Sequence, residues 1–366
     1  MQLTVYTWLV ILLVAASFLL KGDRKQNKVF IIVAFILLFA VMGLRNVKAI
    51  GNDSSGTNGS YPIIYRRAGN YGWGALISNA VDRYNIGFML FSKLVFEITG
   101  GDYQAFITIV SLIVMLVYSR FILKYSPSPI QSILCFLGLL YYLLLFDALK
   151  QALAMATLLL SFDAIVEKKP IKFIILTLLA AFIHFPALIF IPAYWIAQIR
   201  IGQRYIAVLA VLLFLTYVFR DRLLNLMLSA YGSDSSASMQ GIRFLRNKAL
   251  IMIAVVAFAV FVRPPAPKDT LYNALLMFAG IAIMFQTFCG YNNIFERLAD
   301  YYFHTSIVFI PLIFEKGGKS ESRIDTARNE RIISYATLLI CVVAIWRFLS
   351  YVNNAGAFNP YRFVWQ

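Results

Sequence analysis

Long apolar runs separated by short charged connectors recur from one end of the chain to the other. Taken as segments near membrane-spanning length, about 17 to 25 residues, they fall at 2–20, 29–44, 103–120, 130–146, 150–166, 171–184, 186–199, 205–219, 248–262, 269–289, 298–314 and 332–350. The pattern predicts an all-α, polytopic integral membrane protein with about twelve crossings (eleven to fourteen), all in one membrane domain over 1–366. The first run has no basic stretch before it and no small-residue cleavage site, and "KGDRKQNK" (21–28) follows it, so it reads as a retained span.

Charge decides the order of the faces. The basic connector 21–28 goes inside, which puts 45–84, a long polar loop rich in Gly, Ser and Asn, outside. Segment 85–98, "NIGFMLFSKLVFEI", has 14 residues and carries Lys93. A crossing there would throw "EKKPIK" (167–172) outside, so an interfacial or re-entrant helix on the outer face is expected. Stretch 171–199 is read as two short helices meeting at His184–Pro186, where proline removes a backbone donor and favours a break. The connectors 21–28, 120–130, 167–172, 200–204, 263–268 and 315–331 then all lie inside, with both termini outside.

Composition sharpens this picture. Hydrophobic residues make up 61% of the chain and mean hydropathy is +0.75, far from an ordinary soluble domain. The formal net charge of +16 is a weak pointer to nucleic acid, because the Lys and Arg residues sit in loops between spans and serve topology and anionic headgroups. Cys135, Cys289 and Cys341 are scattered, without metal-site spacing or a disulfide framework. No metal and no cofactor is expected.

Candidate chemistry gathers on the outer face. Arg45, Lys48, Arg66, Arg67, Arg83, Lys150, Arg220, Arg222, Arg243, Arg246 and Arg297 all fall there, in the loops 45–84 and 220–247 and in shorter pieces. Two readings are open: solvated loop charge, since long loops escape the charge rule, or a basic cavity holding an anion such as phosphate. Arg45 ends a span and Asp53 follows in "IGNDSSGT", as a surface Asx-turn or as a carboxylate brought back to headgroup level. Lys150 is a snorkelling anchor or a phosphate ligand beside Gln151, whose amide would read a sugar hydroxyl. His184 caps a helix end or transfers protons. His304 reads as packing or bonding between helices. Arg297, Asp300 and Tyr301 at i, i+3 and i+4 are expected on one helical face, either ion-paired within the helix or with Arg297 on a phosphate and Tyr301 or Tyr302 stacked on a sugar.

Several stretches together resemble the EpsG family of polysaccharide-biosynthesis proteins, which is related to the Wzy O-antigen and capsule polymerases. They are "GLR" (43–45) with "IGND" (50–53), "KQALAMATLLLSF" (150–162), "AAFIHFPALIFIPAYWIA" (180–197), "RLADYYF" (297–303) and "NPYRFVW" (359–365). Family members carry Gly-Thr-Asp-Thr where this chain has Gly51-Asn52-Asp53-Ser54, and Arg-Gln where it has Lys150-Gln151. The resemblance implies a GT-C-like, inverting-type membrane glycosyltransferase in a bacterial cytoplasmic membrane. Its site would face the periplasm or cell exterior, and its donor and acceptor would be undecaprenyl-pyrophosphate-linked oligosaccharides. A chain-length regulator and a flippase of the same export pathway are the implied partners. Matching positions are Arg45, Asp53, Gln151, His184 and Arg297, with Lys150 in place of the family's arginine. On this reading Arg45, Lys150 and Arg297 hold pyrophosphate, His184 or Asp53 is the base, and Gln151, Tyr301 and Arg243 bind substrate. Rival readings are a lipid-linked oligosaccharide flippase, which would want two similar halves and cations inside the bilayer, an O-antigen ligase, a membrane O-acyltransferase and a structural subunit of the export complex.

Overall fold

The computed structural model of the chain describes residues 4–20, 24–56, 59–78, 85–199, 205–223, 225, 247–262, 270–289, 294–317 and 326–366. In order, its helices are α1 (Val5–Leu19), α2 (Arg24–Gly43), α3 (Ser60–Asn70), α4 (Trp73–Ser78), α5 (Ile86–Thr99), α6 (Tyr103–Tyr125), α7 (Pro129–Gly138), α8 (Tyr141–Asp147), α9 (Leu149–Val166) and α10 (Pro170–Ile183). A 3-10 helix, Phe185–Phe190, comes next. Then follow α11 (Ala193–Gln198), α12 (Tyr205–Val218), α13 (Asn247–Val262), α14 (Thr270–Gln286), α15 (Ile294–Phe303), α16 (Ser306–Gly317) and α17 (Thr326–Asn354). Among the described residues the only β pairing is an isolated antiparallel bridge between Arg45 and Phe363. The protein is an all-α membrane protein.

Four described helices are long and apolar enough to cross a bilayer: Lys25–Gly43, Tyr103–Tyr125, Leu149–Val166 and Ile333–Asn354, with α7 and α8 as a fifth span if that bent pair counts as one. Six further apolar helices are shorter, between 10 and 17 residues. Two of the apolar runs are interrupted. Run 130–146 breaks at Leu139–Leu140 with a bend of 57°, and Leu140 adopts the left-handed conformation at φ 64°. Run 171–199 breaks at His184 as expected, but its second part is the 3-10 turn followed by the six-residue α11.

The helices group into two compact units, residues 1–188 with 330–366 and residues 189–329. In the first, α9 is the most enclosed of the four long spans. Its Ala152, Ala154 and Ala156 are buried, and small side chains let α6 and α10 approach closely. Helix α2 runs antiparallel to α6, and α6 runs parallel to α9. Gly43 at the end of α2 accepts hydrogen bonds from Gln104 (3.1 Å) and Thr108 (2.8 Å) at the start of α6. At the far end of α6 and α9, the Asp163 carboxylate gathers Arg120, Lys124 (2.9 Å) and Tyr125 (2.5 Å). The connectors 120–130 and 167–172 therefore share one end of the unit. Arg45, the start of α9 and His184 share the other.

The stretch 45–84 is not one long loop. Tyr61, Tyr65 and Ala68 repeat at helical spacing, and all are buried on α3, where Tyr65 packs against Phe96, Tyr103 and Phe106. Lys93 of α5 donates to Gly69 O (2.9 Å) at the end of α3 while pairing with Glu97 (3.0 Å), the favoured place for a cation on a helix. Both ends of α5 meet the same end of the unit. Asn85 before it bonds His184, and Thr99 at its close bonds Tyr65, whose hydroxyl also reaches Asp102 O just before α6. Loop 220–247 lies almost wholly outside the described residues.

The break between α7 and α8 leaves backbone carbonyls to satisfy in an apolar setting, where each unmet group is costly. Arg347 of α17 donates to Gly138 O. Gly138 also lets the helices touch, since a Cβ there would lie 2.5 Å from Ala344 Cα. Replacement of Gly138 by Ala should force α7 from α17 and cost about 1–3 kcal/mol, read as a lower melting temperature of the detergent-solubilised protein by scanning fluorimetry.

Candidate active site

The shared end of the first unit is organised around Arg45. Just beyond the end of α2, its guanidinium is fully buried. Nη1 donates to Met42 O (2.6 Å). Nη2 donates to Ser54 Oγ (3.0 Å) and Phe146 O (2.8 Å). The Phe146 ring lies 4.5 Å from the guanidinium carbon, a cation–π contact. Burial lowers the Arg45 pKa from the usual arginine value, and the Asp147 carboxylate opposes that shift. Asp147 closes the network: Oδ1 accepts from Asn52 N (2.7 Å) and Ser54 Oγ (3.0 Å), and Oδ2 accepts from Asn52 Nδ2 (3.4 Å).

The turn 51–55 is tied down by this pair. Gly51 sits at φ 118°, and a Cβ there would lie 2.5 Å from Ser54 Oγ and 2.9 Å from Asp147 Oδ1, so the position requires glycine. Ser54 faces in and is buried, which turns Asp53 out. Asp53 is exposed, and its backbone oxygen receives Tyr61 N (3.0 Å) at the start of α3.

Two residues after the turn of chain at Asp147, α9 begins. Lys150 is half-buried, with Nζ 5.8 Å from the Phe88 ring centroid, and its backbone N–H donates to Tyr61 Oη (3.3 Å). Gln151 is buried. Phe88 lies on the first turn of α5, one residue past Gly87, where a Cβ would overlap Phe182 of α10. There His184 ends α10 in an extended conformation, φ −147° and ψ 105°. It is half-buried, with Nδ1 2.9 Å from Asn85 Oδ1. An amide oxygen accepts only, so with Asn85 Oδ1 as partner the proton lies on Nδ1.

One end of a single unit thus brings together Arg45, Asp53, Lys150, Gln151 and His184 of the residues expected from sequence. The geometry corrects one expectation: Arg45 presents no open guanidinium to an anion, because both terminal nitrogens are occupied within the protein. Asp147, Asn85 and Ser54 were not anticipated. Asp147 had a signal, an acidic residue three positions before Lys150 inside an apolar run. Asn85 had only its place at the head of the segment.

Arg297 and Tyr301 belong to the second unit. Arg297 is exposed on α15, but Asp300 and Tyr301 are buried, so the expected common face is not one surface. Asp300 pairs with Lys248 of α13 (2.5 Å), with Glu296 at 3.6 Å. Tyr301 has no ring face open for a sugar. Tyr302 is likewise enclosed, packed on Phe190, Phe278 and Phe285 with its hydroxyl on Ile189 O (2.6 Å). His304 Nδ1 donates to Asp300 O (2.8 Å), within one helix end. Arg243 lies outside the described residues.

An apolar helical protein with buried charge networks at helix ends is of the all-α membrane class. Within that class the chain is a member of the EpsG family, whose profile matches residues 28–363, nearly the whole chain. This is a family of Wzy-like polymerases, which implies a membrane polysaccharide polymerase in general. No curated protein and no solved structure matches the chain.

The network makes a stability prediction. Arg45→Ala leaves the Met42 and Phe146 carbonyls and the buried Ser54 hydroxyl without their donor and should cost about 1–3 kcal/mol, as loss of one partner of a buried hydrogen bond does. A double-mutant cycle with Asp147→Ala, followed by thermal unfolding in detergent, should give a coupling of about 0.5–3 kcal/mol. Additive losses would mean that the two side chains act separately.

Proposed function

We propose that the protein polymerises polysaccharide repeat units carried on undecaprenyl pyrophosphate, at the outer face of a bacterial cytoplasmic membrane, through a twelve-crossing, GT-C-like fold. The observation that carries this reading is the convergence of the family's stretches at one end of the first unit. Stretches 43–54, 147–151, 182–184 and 357–364 meet there, opposite the basic connectors that the charge rule assigns to the cytoplasm. The ends of α5 support its reading as a helix lying in the outer leaflet.

The transfer is a single displacement. An acceptor hydroxyl attacks the anomeric carbon of the donor sugar, the carbon–oxygen bond to pyrophosphate breaks, and the configuration inverts. The hydroxyl proton passes to His184 Nε2, or to Asp53. The lipid pyrophosphate leaves with the bonding electron pair, and fixed cations stabilise the charge it gains. Lys150 is proposed for that role, with Gln151 on the glycan, both at this end of the first unit. Arg45 acts through the turn that carries Asp53 and is a positioning residue. The proposed reaction is metal-independent, with chain-length regulator and flippase as neighbours in the pathway.

Removing a general base slows transfer by roughly 100- to 10,000-fold. His184→Ala should therefore leave single repeat units and no long chains on a glycan ladder from cells in which membrane insertion is confirmed. Asn85→Ala should retain partial polymerisation with an altered pH profile, because the imidazole remains but its tautomer is no longer held. Loss of even the single capped unit in His184→Ala would point to a flippase or ligase. A wild-type ladder would sink the assignment.

A further inference from the structure

With Arg45 enclosed, Lys150 is the cation assigned so far at this end of the unit, and backbone pairing beside Arg45 turns a further one outward. Segment 357–364 lies along 44–51. Val364 N donates to Leu44 O (2.9 Å), Asn46 N to Arg362 O (2.9 Å) and Gly51 N to Ala357 O (2.8 Å), with Arg45 and Phe363 forming the bridge between. Side chains alternate along an extended segment. Tyr361 turns in, its hydroxyl on Val41 O (2.7 Å) and its ring edge-on to Tyr6 at 5.5 Å. Phe363 packs on Tyr361 at 4.9 Å. Register therefore sends Arg362 the other way, and it is exposed, as is Val364.

Among the described residues the Arg362 guanidinium has no ion pair or hydrogen bond, in contrast to Arg45, Arg120 and Arg347. Lys48 is a second exposed cation on the same stretch, in the turn whose backbone Asn46 caps (3.0 Å). Beyond Arg362, the Trp365 ring stacks on Phe363 at 4.6 Å and is 67% exposed. An open indole next to a cation and a polar turn is the composition of the headgroup level of a bilayer. The anion of a polyprenyl lipid sits at that level, whereas a soluble anion would need no apolar flank.

We propose that Arg362, held outward by the pairing of 357–364 with 44–51, binds the pyrophosphate of the lipid-linked substrate, with Lys48 as a second cation. Its planar fork suits two phosphate oxygens at once. This assignment rests on the polymerase reading and adds the residue that holds the leaving group.

The test uses the full chain in phosphatidylcholine nanodiscs, with geranylgeranyl pyrophosphate as probe and geranylgeraniol as the uncharged control. Wild type should bind the pyrophosphate more tightly than the alcohol. Arg362→Ala should weaken pyrophosphate binding by roughly 10- to 100-fold, the loss of a charge-assisted contact, with alcohol binding and melting temperature unchanged. Arg362→Lys should lose less. If wild type does not prefer the pyrophosphate, the polymerase reading and this assignment fall together. If wild type prefers it and Arg362→Ala binds equally well, only this assignment falls. An effect of Arg362→Ala confined to retention of phosphatidylglycerol would make the cation a bulk-lipid anchor and overturn it as well.

Discussion

A guanidinium removed wholly from water holds together the end of the protein on which function is proposed to depend. Burying a charge is expensive, and Arg45 offsets part of that cost by hydrogen bonds from its terminal nitrogens to groups on distant stretches. Its bonds to Met42 O and Phe146 O close the ends of α2 and α8, and its bond to Ser54 reaches Asp147. The turn 51–55 cannot relax without breaking these contacts, and the Arg45 backbone is bridged in addition to Phe363. Shape at this end is therefore coupled: the exposure of Asp53, the start of α9 and the course of 357–364 follow from one enclosed cation.

The same economy recurs where helices break. An apolar solvent offers nothing to an interrupted backbone, so irregular segments persist only where protein satisfies them. Arg347 does this at Gly138, and Lys93 does it at Gly69. At the end of α10 the chain becomes extended at His184 before a 3-10 turn, and the imidazole is steadied by Asn85. Breaks thus coincide with ionisable side chains. In the first unit they mark helix ends where backbone demand and candidate chemistry meet.

Division of labour among the cations follows from exposure. Arg45, Arg120 and Lys248 are committed to Ser54 and backbone carbonyls, to Asp163 and to Asp300. Lys150 faces an aromatic ring, and Arg297 and Arg362 face out. A chain with many cations outside its short basic connectors is therefore not uniformly charged in its chemistry. Some of its charge is structural, and the remainder is turned outward.

Class and membership were legible in the sequence, because apolar runs with basic connectors leave an all-α membrane protein as the economical solution, and the stretches at 43–53, 150–162, 180–197, 297–303 and 359–365 are colinear with a family. The break at His184–Pro186 was legible too, since proline acts on its own backbone. The bend at Leu139–Leu140 was not, because it has no proline and the Gly138 carbonyl there is met by Arg347 from α17, far along the chain. Helix α3 within the expected loop depends on Phe96, Tyr103 and Phe106 packing on Tyr65. The roles of the arginines were hidden for the same reason. Sequence assigns Arg45 and Arg362 the same charge, but only packing decides that one guanidinium is enclosed and the other, through the alternation of an extended segment, is turned to the surface.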